Sequence, residues 1–223
     1  LGWFGPLAVS VAGRVLRWVV TDIVADEMSL RVTLADSDTG LLLEQCFRVL
    51  TGGGIEISAT LGNDGPVPIA VEHLASALLL LPAGLDRILS WRGRHAAEFV
   101  ECLEPLPAHQ WLRETRRGLP GHGGPPGLYL LGEQAGWDQG LVLAAQLAWS
   151  GDSRIALERD DEGFWTMTAG ALLQPGEVTL APGQSHTAPD AILAVSTTGR
   201  NGAMAQHHAA VRDLSVQRCT LYV

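Results

Sequence analysis

Residues 148–165, AWSGDSRIALERDDEGFW, combine aromatic and acidic side chains, the types with which proteins bind and cleave sugars. The acidic run at 158–162 could supply two carboxylates, one as general acid and one as nucleophile, for breaking a glycosidic bond. That chemistry needs the two groups across a cleft at a fixed separation. Asp160, Asp161 and Glu162 precede Gly163, which is typical of a solvated turn. We therefore predict a hairpin turn at 160–163 rather than an acid–nucleophile pair.

Tryptophan rings offer a second kind of sugar contact, because a flat ring can stack on the C–H face of a pyranose. Aromatic side chains on strands more often pack in the core or against the sheet. Packing is therefore the favoured interpretation, and a stacking platform is the alternative. The rings concerned are Trp91, Trp111, Trp137, Trp149 and Trp165.

Metal and nucleophile chemistry have little support in the sequence. His207 and His208 are adjacent, so on a helix they point about 100° apart and cannot both face one ion. His122 stands alone in a Gly/Pro-rich segment. Neither Gly-x-Ser-x-Gly nor Ser-x-x-Lys occurs, and the glycine-rich stretches lack the Lys of a phosphate-binding loop. We predict no catalytic residue, no metal site and no cofactor in this chain.

Composition restricts the partners. The chain has 223 residues, of which 47 % are hydrophobic, enough for a substantial core. A net charge of −9 argues against nucleic acid, whose phosphates require a basic face. No run approaches the roughly 18 apolar residues of a membrane span, so no membrane partner is expected. Cys46, Cys102 and Cys219 form no Cys-x-x-Cys pair, which fits a reducing cytoplasm.

Short runs of Val, Ile, Leu and Thr, bounded by Gly, Pro, Asn and Asp, recur along most of the chain. This spacing is typical of an antiparallel β-sandwich. Predicted strands cover 7–11, 15–20, 29–34, 41–50, 55–61, 127–133, 140–149, 153–159, 164–173, 176–180 and 191–196.

Three segments depart from this pattern. Residues 118–127, GLPGHGGPPG, contain five Gly and three Pro and are predicted to form a long loop. Residues 201–214 have helix-forming side chains and no Gly or Pro after Gly202, so they predict a helix. Residues 69–81, IAVEHLASALLLL, are rich in helix formers, and propensity alone leaves helix and strand equally open.

Six phrases, in order, resemble the N-terminal domain of glycoside hydrolase family 36 α-galactosidases over roughly residues 29–213. They are LADSDTGLLLEQCFRVL, LGNDGPVPIAVEHLASALLLLP, WRGRHAAEF, WLRETRRGLPGH, GLVLAAQLAWSGDSRIALERDDEG and LLQPGEVTLAPGQSHTAPDAILAVSTTGRNGAMAQHHAAVRD.

The resemblance implies an all-β fold, a β-supersandwich of two packed antiparallel sheets with a C-terminal linker helix. In the family this domain precedes a catalytic (β/α)₈ barrel and a small C-terminal β domain. The implied division is a supersandwich at 1–200, a linker helix at 201–214 and an atypical tail at 215–223, with the barrel absent. The resemblance also favours a strand at 69–81.

The family's nucleophile lies in a Lys-Trp-Asp motif of the barrel, and this chain contains no Lys, so no catalytic residue can be carried over. The resemblance implies a non-catalytic domain that packs on the barrel, with possible homo-oligomers. Trp149 and Asp152 are candidates for the rim of the substrate pocket. The alternatives are a stand-alone carbohydrate-binding module and a structural or interaction domain.

Overall fold

The computed structural model describes residues 8–215, which form sixteen strands, a short 3-10 helix at Gly121–Gly123 and one α-helix, α1 (Gly199–Leu214). The strands are β1 (Val9–Val11), β2 (Val19–Ala25), β3 (Ser29–Asp36), β4 (Leu41–Val49), β5 (Ile55–Asn63), β6 (Ile69–Leu80), β7 (Leu85–Arg94), β8 (Ala97–Pro105), β9 (Gln110–Thr115), β10 (Gly127–Gly132), β11 (Val142–Leu147), β12 (Ser153–Arg159), β13 (Trp165–Ala171), β14 (Val178–Leu180), β15 (Ser185–Thr187) and β16 (Ala191–Ser196).

The strands form two antiparallel sheets. The smaller sheet has six strands in the order β1-β6-β13-β12-β9, with β14 also paired to β6. The larger sheet has ten strands in the order β2-β3-β4-β5-β16-β11-β10-β7-β8, with β15 also paired to β5. Strands that are distant in sequence, such as β5 and β16, are therefore neighbours in the larger sheet.

The main core lies between the two sheets. Ile57 and Leu130 come from the larger sheet, Ile155 and Met167 come from the smaller one, and all four side chains are at most 1 % exposed. Burial alternates along β5, as expected when one face of a strand meets the core. The prediction of two packed antiparallel sheets is confirmed.

Strand β6 shows tertiary context overruling local propensity. Its segment is rich in helix formers, yet it pairs with β13 and β14 along one edge and with β1 along the other. Val71, Leu74 and Ala77 are buried between the sheets. A helix here would leave the edges of three strands unpaired, so the strand predicted at 69–81 is confirmed.

The strand predicted at 15–20 is wrong in position, since β2 runs over Val19–Ala25. Leu16 is buried, and the backbone N–H of Arg17 donates to the carboxylate of Asp36, which holds this part of the chain outside the sheet. Asp22 lies within β2, which is an edge strand with an irregular register against β3 at this point. An edge tolerates such a residue because its outer side faces water.

The predicted linker helix is present and begins two residues earlier, at Gly199. It packs on β16 and β11, with Ala203 and Ala210 buried against the sheet. Its first N–H groups donate to the carbonyls of Gly136 and Trp137, so main-chain oxygens replace a side-chain cap. The tail predicted at 215–223, including Cys219, lies outside the described residues apart from position 215.

Candidate functional site

A groove of about 750 Å³ contains both residues predicted for the substrate rim. Trp149 and Asp152 line one side, in the turn between β11 and β12. Residues 171–178 and 186–189 line the rest. The structure therefore brings the two residues together in a concave surface large enough for a sugar.

The turn at 149–152 holds the Trp149 ring in a fixed position. The indole N–H of Trp149 donates to the carbonyl oxygen of Asp152 at 3.1 Å, and the Leu172 N–H donates to the same oxygen at 3.0 Å. A Cβ at Gly151 would lie 2.5 Å from the indole nitrogen, so any larger residue there would require the ring to move. The ring is still 46 % exposed, which leaves surface for a partner or ligand.

Two carboxylates line this groove, and both serve backbone turns. The Asp152 carboxylate accepts the Gly118 N–H at 2.7 Å, and the Glu177 carboxylate accepts the Gln174 N–H at 2.7 Å. These main-chain donors fix the position of each carboxylate, Asp152 beside residue 118 and Glu177 within its own turn. The arrangement suits binding more than proton transfer.

The turn predicted at 160–163 is present, and Glu158 lies before it in β12. The Asp160 carboxylate accepts the N–H groups of Glu162 and Phe164 at 3.1 and 2.8 Å, and the Gly163 N–H donates to the Asp160 carbonyl. Glu158 accepts a hydrogen bond from the Gln110 amide on the neighbouring strand. Asp160, Asp161 and Glu162 therefore lie at the end of the β12–β13 hairpin and do not face another carboxylate across a cleft.

The tryptophans mostly pack, as favoured from sequence. Trp111 and Trp165 lie against the main core, and Trp91 meets the Tyr129 ring edge-on at 5.3 Å. Trp137 is exposed, but the Arg200 guanidinium covers one ring face at 3.9 Å. A stacking platform built from several free rings has no support among the described residues.

Two histidines, His207 and His122, have surroundings that their positions in the sequence did not indicate. His207 is buried in α1, and its pKa is lowered by burial and by the neighbouring His208. His122, which stands alone in the sequence, lies next to His95 and Glu98 in the fold. Within residues 8–215, these three side chains are close enough to one another to share a metal ion. No spacing along the chain indicates this group, because the loop and the hairpin come together only in the folded structure.

The family model described as the glycosyl hydrolase family 36 N-terminal domain matches residues 16–181 of the chain. This range covers β2 to β14 and includes both Trp149 and Asp152. The chain belongs to the glycosyl hydrolase family 36 N-terminal domain family.

Curated and solved relatives of the family 36 domain agree with this assignment. An α-galactosidase from Escherichia coli is 28 % identical over 192 residues, covering 86 % of this chain and 27 % of the relative. Alpha-galactosidase 2 from Pediococcus pentosaceus is 30 % identical over 178 residues, covering 78 % of this chain and 24 % of the relative. The structure of α-galactosidase AgaA from Geobacillus stearothermophilus superposes with a TM-score of 0.80 at 21 % identity. The match covers 92 % of this chain and 32 % of the AgaA chain.

The family 36 domain thus spans about a quarter of the length of these curated relatives. In the relatives this domain is attached to a longer catalytic polypeptide, and the superposition shows that the fold is shared. Among residues 8–215, no helix has the length and apolar character needed to cross a membrane.

Proposed function

We propose that this chain is the non-catalytic N-terminal domain of an α-galactosidase that hydrolyses terminal α-D-galactosyl residues. The observation that carries the proposal is the match over residues 16–181 to a domain that forms only a quarter of proteins named α-galactosidase. Hydrolysis would then be performed by a (β/α)₈ barrel in the same polypeptide, which is the partner of this domain. The domain itself would need no cofactor.

The groove beside Trp149 supports a role at the pocket rim. The Trp149 indole N–H donates to the Asp152 carbonyl, and Trp149 is partly exposed. The Asp152 carboxylate is fixed by the Gly118 N–H. We assign these two residues to a surface that contacts a galactoside only when the barrel supplies the other wall. One wall alone buries too little of a ligand for measurable affinity.

An apolar groove of about 320 Å³ beside α1 supports docking of the barrel. Phe99, Met204 and Val211 line it with 38–69 % of each residue exposed. His207 lines the same groove, and neither of its ring nitrogens has a hydrogen-bond partner. An apolar surface at the end that leads toward the barrel is what an interdomain contact requires.

Self-association and a cytoplasmic location complete the proposal. Edge strand β2 exposes Val19, Val20 and Ile23 beside a backbone edge that pairs with no other strand of residues 8–215, and such an edge favours pairing with a second copy. The molar mass from light scattering decides this point.

Cys46 and Cys102 are free thiols, which a reducing cytoplasm preserves. Cell fractionation tests that location.

Calorimetric titration separates this proposal from a stand-alone carbohydrate-binding module. We expect galactose or raffinose to give no heat of binding with the 223-residue chain, because the rim is only one wall of a pocket. Maltose serves as the control sugar. Millimolar or tighter binding of raffinose that Trp149→Ala abolishes would make the chain a binding module, with Trp149 as its platform.

A further inference from the structure

Three metal-ligand side chains meet where the β7–β8 hairpin contacts the 118–127 loop. The ligand atoms of His95, Glu98 and His122 all lie within 4.8 Å of one another. His122 Nδ1 and Glu98 Oε1 are 3.6 Å apart, and the two imidazole rings have centroids 6.0 Å apart. All three residues are exposed, so an ion can reach them from solvent.

Glycine and arginine fix the position of the loop that carries His122. A Cβ at Gly93 would lie 2.8 Å from the Glu98 Cα and 3.1 Å from the His122 carbonyl oxygen, so hairpin and loop touch there. The Arg113 guanidinium donates to the carbonyls of Trp91 and Pro125, tying the loop to β7. The three ligands are therefore brought together by the fold and not by chance side-chain positions.

Backbone strain concentrates at the same place. Ala96 has a φ of 61° in the hairpin turn, where glycine is usual, and Phe99 has a φ of 54° inside β8. The register of β7 and β8 shifts here, so that Glu98 and Phe99 together oppose Gly93 in a bulge. The Ala96 N–H donates to Glu98 Oε1 at 2.9 Å and orients that carboxylate. A bulky residue at positive φ is costly, and such strain accumulates at functional sites.

The ligand set indicates the class of ion. Two imidazoles and one carboxylate suit Zn²⁺, Co²⁺, Ni²⁺ or Cu²⁺ and not the hard cations Ca²⁺ or Mg²⁺, which prefer oxygen. Bonds of about 2.0–2.2 Å place neighbouring ligand atoms about 3.3 Å apart in a tetrahedral site. Shifts of about 1 Å in exposed side chains bring the present spacing to that value. The groove that His95 and His122 line also contains four arginines, whose charge limits the affinity: Arg94, Arg113, Arg116 and Arg117.

We propose that His95, Glu98 and His122 bind one divalent transition-metal ion of the zinc class. The ion would tie the 118–127 loop to the β7–β8 hairpin, with its fourth position open to water or to an anionic group. Three protein ligands and the four nearby arginines imply an affinity weaker than that of a four-ligand structural zinc site.

Calorimetric titration of the EDTA-stripped 223-residue chain with ZnCl₂ tests the site. We expect one equivalent of Zn²⁺ to bind and MgCl₂ to give no heat. His95→Asn, His122→Asn and Glu98→Gln should each lower the Zn²⁺ affinity by at least about tenfold. The matched controls His109→Asn and His208→Asn also change exposed histidines and should leave the affinity unchanged. Equal losses in the controls, or full binding by His95→Asn and His122→Asn, would overturn the proposal.

Histidine modification provides a readout that needs no variant. Diethylpyrocarbonate acylates accessible imidazoles, and peptide mass spectrometry measures each site separately. We expect one equivalent of Zn²⁺ to protect His95 and His122 at least about tenfold, while His109 and His208 react at the same rate with and without the ion. Absence of protection at both His95 and His122 under saturating Zn²⁺ would contradict the site.

Discussion

Replacing Asn63 by alanine should lower the free energy of unfolding by about 3–4 kcal/mol. The Asn63 amide is completely buried at the end of β5 and makes three hydrogen bonds. It donates to the carbonyls of Val67 at 2.9 Å and Leu180 at 2.8 Å, and it accepts the Gly65 N–H at 3.0 Å. Because Leu180 belongs to the smaller sheet, this one side chain links both sheets.

The cost arises mainly from the two buried partners. Gly65 and Leu180 are buried, so the N–H of one and the carbonyl of the other lose a partner that water cannot replace, at about 1–3 kcal/mol each. Urea unfolding followed by circular dichroism measures the change, and the melting temperature should fall by about 10 °C. Asn201→Ala, which removes one exposed contact to Asp138, is the control. A loss below about 1 kcal/mol would show that Asn63 does not join the sheets.

Replacing Asp36 by asparagine should cost about 2–4 kcal/mol near neutral pH. The carboxylate is 1 % exposed and accepts hydrogen bonds from the N–H groups of Arg17, Asp38 and Thr39 and from the Thr39 hydroxyl. An asparagine presents a donor where these donors converge, so at least one of them is left unsatisfied. The exposed neighbour Asp38 supplies the matched control, Asp38→Asn.

The stability difference at Asp36 should depend on pH. Burial alone would raise the pKa of Asp36, but the hydrogen bonds from Arg17, Thr39 and Asp38 outweigh it and hold the pKa below the ordinary 3.8. A lowered folded-state pKa stabilises the fold above pH 3.8, and this contribution is lost as the pH falls through the folded value. Unfolding curves of wild type and Asp36→Asn should therefore converge in acid. A gap that stays constant from pH 7 to strong acid would contradict the assignment.

Much of the β-sandwich could be predicted because its strands carry local signals. Gly-, Asn- and Asp-rich turns separate runs of β-branched side chains, and the turn at 160–163 was recognised from its residues alone. The β6 segment could not be assigned in this way, because its strand conformation is set by β1, β13 and β14 on its two edges. Only the family resemblance predicted it correctly.

Edge strands and long-range contacts were the features that local patterns did not predict. The pattern left residues 82–117 unassigned, and the structure places β7, β8 and β9 there. Burial in β8 is irregular because it is an edge strand, so no clear alternation marks it. The contact of His122 with His95 and Glu98 depends on how the loop folds back on the hairpin, which no spacing in the sequence encodes.

The groove beside Trp149 was partly predictable. Trp149 and Asp152 are three residues apart, so a turn between them suffices to bring them together. The opposite side comes from residues 171–178, which continue from β13 of the smaller sheet, and from residues 186–189, which continue from β15 of the larger sheet. The sequence therefore predicted one side of the groove but not its depth or its second carboxylate, Glu177.

An assay of the purified 223-residue chain with an aryl α-galactoside tests whether this domain is non-catalytic. We expect no release of the aryl group above the buffer rate, while the α-galactosidase of Escherichia coli, assayed in parallel, turns over the same substrate. Turnover that survives repurification and disappears with Asp152→Asn or Glu177→Gln would contradict it, because the chain would then contain a catalytic site of its own.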